Sequence, residues 1–147
     1  MKAITILAAV CLAGTTAAWA SQQTKLSDLP APVQVTVKAE TTNATLVGIS
    51  KETEKGKTIF EVETKVGGKT RDLLVDATGT VIEVEEEIDP AAVPSAVKAT
   101  IDKQSAGGTV QRLERLTRGA AVSYEVVLKK AGKTTEITVN PDGTIRK

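Results

Sequence analysis

Slid against itself by 64 residues, the sequence superposes Leu29 to Glu83 on Val93 to Lys147 without a gap, with 14 identities in 55 positions. The identities cluster. Pro30 with Pro94 and Val33 with Val97 open the alignment, Glu61-Val62 with Glu125-Val126 and Lys65 with Lys129 follow, and Gly68-Lys69-Thr70, Val75 and Gly79-Thr80 recur as Gly132-Lys133-Thr134, Val139 and Gly143-Thr144. Phe60 and Tyr124, the chain's one Phe and one Tyr, also fall 64 apart. Self-similarity at a fixed offset predicts two units of one architecture. The first is expected over residues 21–88 and the second over 89–147.

Each half helps to read the other. Pro32 to Val37 alternates like a strand, but its partner Ala96 to Ile101 is Ala-rich, with Val93, Val97 and Ile101 four apart. Both segments, Asp28 to Glu40 and Ala92 to Gln104, are therefore predicted helical. Ser27 or Asp28 and then Asp89 are the expected caps, and Pro30, Pro32 and Pro94 fall in or near first turns, where a missing N–H costs little. Four strand signals follow each helix: Thr45 to Glu54, Thr58 to Val66, Thr70 to Asp76 and Thr80 to Glu86, then Thr109 to Thr117, Val122 to Lys130, Thr134 to Val139 and a short end from Thr144. Their connections are short and rich in Gly, Asn and Asp, which predicts antiparallel hairpins. The expected fold is α+β, two tandem repeats of one helix packed on a four-stranded antiparallel sheet.

Composition narrows the chemistry. Met1-Lys2, an apolar run from Ala3 to Ala13 and the A-x-A site Ala18-Trp19-Ala20 have the pattern of a signal peptide over residues 1–20. Export is expected, to the periplasm or beyond, with a mature start at Ser21. The run is far below the ~20 residues that span a bilayer and no second candidate follows, so a soluble product without a transmembrane segment is expected. Cleavage would remove Cys11, the chain's one Cys, and the chain has no His. Disulfides, thiolate catalysis, Cys/His zinc sites and imidazole-based triads are thereby excluded.

The charges are divided by halves: residues 21–88 carry −4 and residues 89–147 carry +4. A mature chain of zero net charge with two aromatics argues against nucleic-acid binding. The asymmetry could orient one half against the other. Glu83-Val84-Glu85-Glu86-Glu87 with Asp89 is the one acidic cluster; it reads first as a charged terminal strand that discourages edge pairing, and second as a weak divalent-cation site. Arg112-Leu113-Glu114-Arg115-Leu116 reads as a strand with Leu113 on one face and Arg112, Glu114 and Leu116 on the other. Glu61 and Glu63 share a face, as paired carboxylates of a glycosidase would, but two Glu on an open strand face are commonplace and no catalytic residue is assigned.

The run Leu29-Pro30, Val33, Val37, Thr58 to Glu63, Gly68-Lys69, Val75-Asp76 and Gly79-Thr80-Val81, repeated from Val93-Pro94 to Gly143-Thr144-Ile145, resembles the PepSY-like domains of exported bacterial proteins. That family is similar in fold to the beta-lactamase inhibitor proteins. The resemblance covers about residues 26–147 and implies a noncatalytic binding or inhibitory module acting on an envelope or secreted enzyme such as a peptidase. It implies no cofactor, no metal and no functional residue that can be carried across.

Period-2 alternation places Phe60, Val62 and Val66, with Tyr124, Val126 and Leu128, on the face that should carry the helices. The opposite face then presents Ile59, Glu61, Glu63, Lys65 and Leu74 in one half and Glu125, Val127, Lys129 and Thr138 in the other, and this is the candidate partner surface. The expected partner is an envelope or secreted protein or peptide. The alternative is a structural or stress-related envelope protein whose acidic strand end weakly binds cations.

Overall fold

A computed structural model describes residues 22–54 and 56–146; the signal-peptide reading and its cleavage site lie outside them. Eight strands form one antiparallel sheet in sequence order: β1 (Gln22–Gln23), β2 (Thr45–Glu54), β3 (Lys57–Val66), β4 (Lys69–Asp76), β5 (Val81–Glu87), β6 (Thr109–Arg118), β7 (Ala121–Lys130) and β8 (Lys133–Val139). Two ten-residue helices, α1 (Ala31–Glu40) and α2 (Ser95–Gln104), interrupt the strand run, each after a 3-10 turn. Neither is long and apolar enough to cross a membrane.

This overturns the expectation of two repeats of one helix packed on a four-stranded antiparallel sheet: the strands form one eight-stranded sheet. The sheet is continuous because β5 pairs with β6 from Val84 opposite Thr117 to Glu87 opposite Glu114. The acidic run is therefore not a guarded edge. Glu86 accepts from Arg115 at 2.6 Å on the helix side, and Glu83 accepts from Arg118 at 2.7 Å on the other. The opposite charges of the two halves meet here, across the strand pair that joins them. The strand end expected from Thr144 is reduced to one bridge between Val139 and Ile145, whereas β1 is an addition: Gln22 pairs with Lys51 just as Glu86, 64 residues on, pairs with Arg115.

The helices begin later than the sequence suggests. Pro30 and Pro94 occupy the caps with extended backbone and no side-chain capping bond, so Ser27, Asp28 and Asp89 do not cap them. Proline is suited to that boundary because its fixed φ enters a helix and it has no N–H to leave unpaired. Each helix buries two residues four apart, Val33 with Val37 and Val97 with Ile101. Val33 and Val37 pack with Leu29, Ile49, Phe60, Val62, Leu73 and Val75; Val97 and Ile101 pack with Leu113, Tyr124, Val126, Leu128 and Val139. These two clusters lie side by side on one face of the sheet. Val66, expected in the core, is 43% exposed, since it ends β3 beyond the reach of α1.

Identical fastenings hold the helices down. Thr36 Oγ1 donates to the Gly79 carbonyl at 2.6 Å, and Thr100 Oγ1 donates to the Gly143 carbonyl at 2.6 Å. Both glycines have φ of 85°, in the left-handed region. A Cβ on them would lie 2.7 Å from the Pro32 carbonyl oxygen and 2.6 Å from that of Ala96, so only glycine lets each turn approach its helix. Among the described residues both helices lie on one face, and the other face of the sheet has no helical cover.

Candidate functional site

Cross-strand register decides what lies on the helix-free face. Ser50 stands opposite Glu61, Leu74 opposite both Glu61 and Glu83, and Asp72 opposite Glu63 and Glu85. Glu85 and Glu87 face Leu116 and Glu114, Glu114 faces Glu125, and Val127 faces Glu136. Adding Glu52 on β2, every strand from β2 to β8 sends at least one carboxylate to this face. All nine residues of the expected surface lie on it, although not equally open. Lys65 and Lys129 are exposed, Glu61, Glu63, Leu74, Val127 and Thr138 are half-buried, and Ile59 and Glu125 are each only 8% exposed. The acids around them enlarge the site beyond the sequence reading: Asp72, Glu85, Glu114 and Glu136, with Arg112 among them. Period-2 alternation applied across all the paired strands, rather than to β3 and β7 alone, is the signal that would have found them.

A cleft of about 490 Å³ opens in this face, spanning β2 to β6. Its floor and walls include Glu61, Glu63, Asp72, Glu85, Glu87 and Glu114, with Lys65 and Arg112, and its rim includes Val47 and Val110. Both valines are solvent-exposed, Val47 at 55%. A larger depression of about 860 Å³ lies beside β1 and the start of α1, between Gln22, Lys25, Asp28, Lys51 and Phe60. It gathers no comparable set of like charges.

Burial and mutual repulsion make the acidic floor hold protons. Glu61 is pushed up to about 7, first by burial and then by Glu52, Glu63 and Asp72; the Ser50 hydroxyl, 3.2 Å away, offsets only part of this. Glu85 is pushed up to about 9 by burial and by Glu125, Glu114, Glu83 and Glu61. Glu114 and Glu136 rise to about 7, and burial also raises Asp72 and Glu125. A carboxyl that cannot be hydrated and has like charges around it prefers its neutral form.

Arg112 is the cation embedded in this floor. Its Nη2 donates to Glu125 Oε1 at 3.0 Å, and its Nε lies 3.1 Å from Glu114 Oε2. The second contact is outside hydrogen-bonding geometry, and neither of its atoms has another hydrogen-bond partner. Glu114 is 2% exposed, so its unbonded carboxylate oxygen is a strained element of the site. Among the described residues, no group of three His, Cys, Asp or Glu is arranged to hold a metal ion.

No protein-family model and no curated protein matches the chain. Solved structures do. A DUF2874 family protein from Bacteroides uniformis aligns over 80% of this chain and 86% of its own, with 19% identity and a TM-score of 0.64. A Bacteroides eggerthii protein, described by an inferred periplasmic location, aligns over 81% of this chain and 86% of its own, with 16% identity and a TM-score of 0.67. A Bacteroides fragilis protein described as BLIP-like aligns over 79% and 82%, with 20% identity and a TM-score of 0.57. At these identities the likeness is one of fold, and the fold expected from the beta-lactamase inhibitor proteins fits it.

Proposed function

We propose that this is an exported, noncatalytic module that binds a protein or peptide in the periplasm, using the helix-free face of its sheet, and that its action on that partner is inhibitory. The observation that carries the reading is a broad sheet face, acid-rich and uncovered, set opposite a face that both helices close. The solvent-exposed Val47 and Val110 beside the charged cleft offer apolar area for a partner to bury. The N-terminal export pattern supports the location, as do similarly folded proteins described as periplasmic. Kinship with PepSY-like domains belongs to the same proposal. The cation-binding alternative is weakened by geometry, because Glu83 and Glu86 of the acidic run are already bonded to Arg118 and Arg115.

The test is capture from an envelope extract by the mature protein and by variants of each face. Reversing Glu125 is unsuitable, because its carboxylate is buried against Arg112. Glu63→Lys with Glu87→Lys alters the cleft wall instead, and Lys38→Glu with Lys98→Glu alters the helix side. A stoichiometric partner held by the wild type and the helix-side variant, but released by a cleft variant whose circular dichroism shows the fold retained, is the expected result. Equal capture by all three would move the interface off this face.

A further inference from the structure

The 64-residue correspondence extends into the acidic floor, with departures at Gly48/Arg112, Ser50/Glu114 and Glu63/Val127, among other positions. Glu61 and Glu125 correspond, as do Asp72 and Glu136, and the β-bulges that start β2 and β6 fall at Leu46/Gly48 and Val110/Arg112. Arg112 therefore stands where the first half has Gly48. In the second half the guanidinium from that position bonds Glu125 at 3.0 Å. In the first half the same position has no side chain. The groups that face Glu61 are Ser50 and Glu52 from β2, Glu63 on its own strand, Asp72 and Leu74 from β4 and the Glu83–Glu85 stretch of β5, while Lys65 stays at the exposed rim. None of the groups that shift Glu61 most is a cation; Arg112 lines the same cleft, with its charge acting on Asp72, Glu114 and Glu125.

The cleft that opens over Glu61 and Glu63 gives room for a cation. A Cβ at Gly48 would meet the Glu63 carboxylate at 3.6 Å and Gln23 Oε1 at 3.7 Å, ordinary contact distances, and its backbone is not in the left-handed region. The nearby Val47 and Val110 rims would hold aliphatic neighbours of an incoming charged residue. Resting on the reading of this face as a binding surface, we infer that the pocket beside Gly48 receives an arginine side chain from the partner polypeptide, whose guanidinium bonds Glu61 as Arg112 bonds Glu125. A planar guanidinium suits a carboxylate wall better than a point charge does, because it presents several donors in a fixed fork. Glu61 must ionise to accept it, so affinity should rise as pH passes through about 7. Between pH 6 and pH 8 the ionised fraction grows about tenfold, and the association constant should follow it.

The probe is acetyl-Val-Arg-Val-amide, titrated into isotopically labelled mature protein at pH 6 and pH 8. The citrulline peptide serves as its neutral twin, and free arginine and calcium chloride as further arms. Saturable shifts at Gly48 and Glu61, about tenfold tighter at pH 8 and absent with the other three, are expected. Gly48→Arg should fill the pocket from within and abolish the shifts, and Glu61→Gln, which needs no new packing, should do the same. Equal binding by citrulline, free arginine or calcium, or undiminished peptide binding by either variant, overturns the assignment. If envelope capture survives in Gly48→Arg while the peptide fails to bind, the arginine pocket is wrong and the sheet-face reading stands. If capture also proves insensitive to Glu63→Lys with Glu87→Lys, the sheet-face reading fails with it.

Discussion

Replacing Arg112 with Met keeps most of the side-chain stem and removes the one cation shared by Glu114 and Glu125. Their side chains are 3% and 9% exposed, against 27% for Arg112, so solvent cannot take its place. Two neighbouring acids give the scale. Glu114, with Arg112 beside it, is pushed to about 7, whereas Glu85, which Arg118 influences only from a distance and which burial and four acids dominate, is pushed to about 9. Losing Arg112 should move Glu114 toward the Glu85 value. Such a two-unit rise costs about 1.4 kcal/mol at pH 8, midway between the two values, and almost nothing at pH 5, where the carboxyl is protonated either way. Glu125, raised by burial and held down by Arg112, should add to this cost in the same direction. The sign follows from the direction of the shift. A folded-state value above the unfolded one stabilises fully below the unfolded value, and that stability is lost as pH rises through the folded one. Urea unfolding of wild type and Arg112→Met at pH 5, 6.5 and 8 should therefore show a gap that widens steadily with pH. A gap independent of pH, or one below about 0.5 kcal/mol at pH 8, would refute the claim that Arg112 neutralises the floor.

The raised values of Glu61, Glu85, Glu114 and Glu136 together predict that wild-type stability falls between pH 5 and pH 9, checked by melting temperature across that range; a rise would contradict the burial argument. Glu85→Gln should raise the melting temperature at pH 8 and by much less at pH 5, because the amide removes the cost of ionising the most strongly shifted acid. Gly79→Ala and Gly143→Ala should each cost more than the ~1–2 kcal/mol of a left-handed alanine, since the new Cβ collides with a helix carbonyl. Gly119→Ala, also left-handed but with open space around it, should cost that amount alone in the same urea titrations.

Much of the local structure was legible in the sequence because it depends on short-range chemistry. The glycine turns and the period-2 runs place β2, β3, β4, β6, β7 and β8 within a residue or so, and the two aromatics enter the core as their alternation requires. The joining of the halves was not legible. Whether Glu83 and Glu86 guard an edge or bond Arg118 and Arg115 depends on which strand lies beside β5, and a chain read one strand at a time does not say. The same holds for the site. Glu61 and Glu125 share a face by counting, but Glu125 becomes buried and Glu61 lacks a cation only once β2 and β6 lie beside them with Gly48 in one and Arg112 in the other. The Gly48/Arg112 difference was present in the alignment as one mismatch among many. Its meaning came from the register.

The claim that Glu61 lacks the guanidinium that Arg112 supplies to Glu125 is tested most directly by the side-chain carboxyl resonances of Glu61 and Glu125, followed by carbon-13 NMR from pH 4 to pH 9 in the wild type and in Gly48→Arg. Glu61 should titrate near 7 in the wild type and fall by at least about one unit when the internal arginine is supplied, with Glu125 unmoved. A Glu61 midpoint at the ordinary carboxylate value, or one near 7 that ignores the new guanidinium, would contradict it.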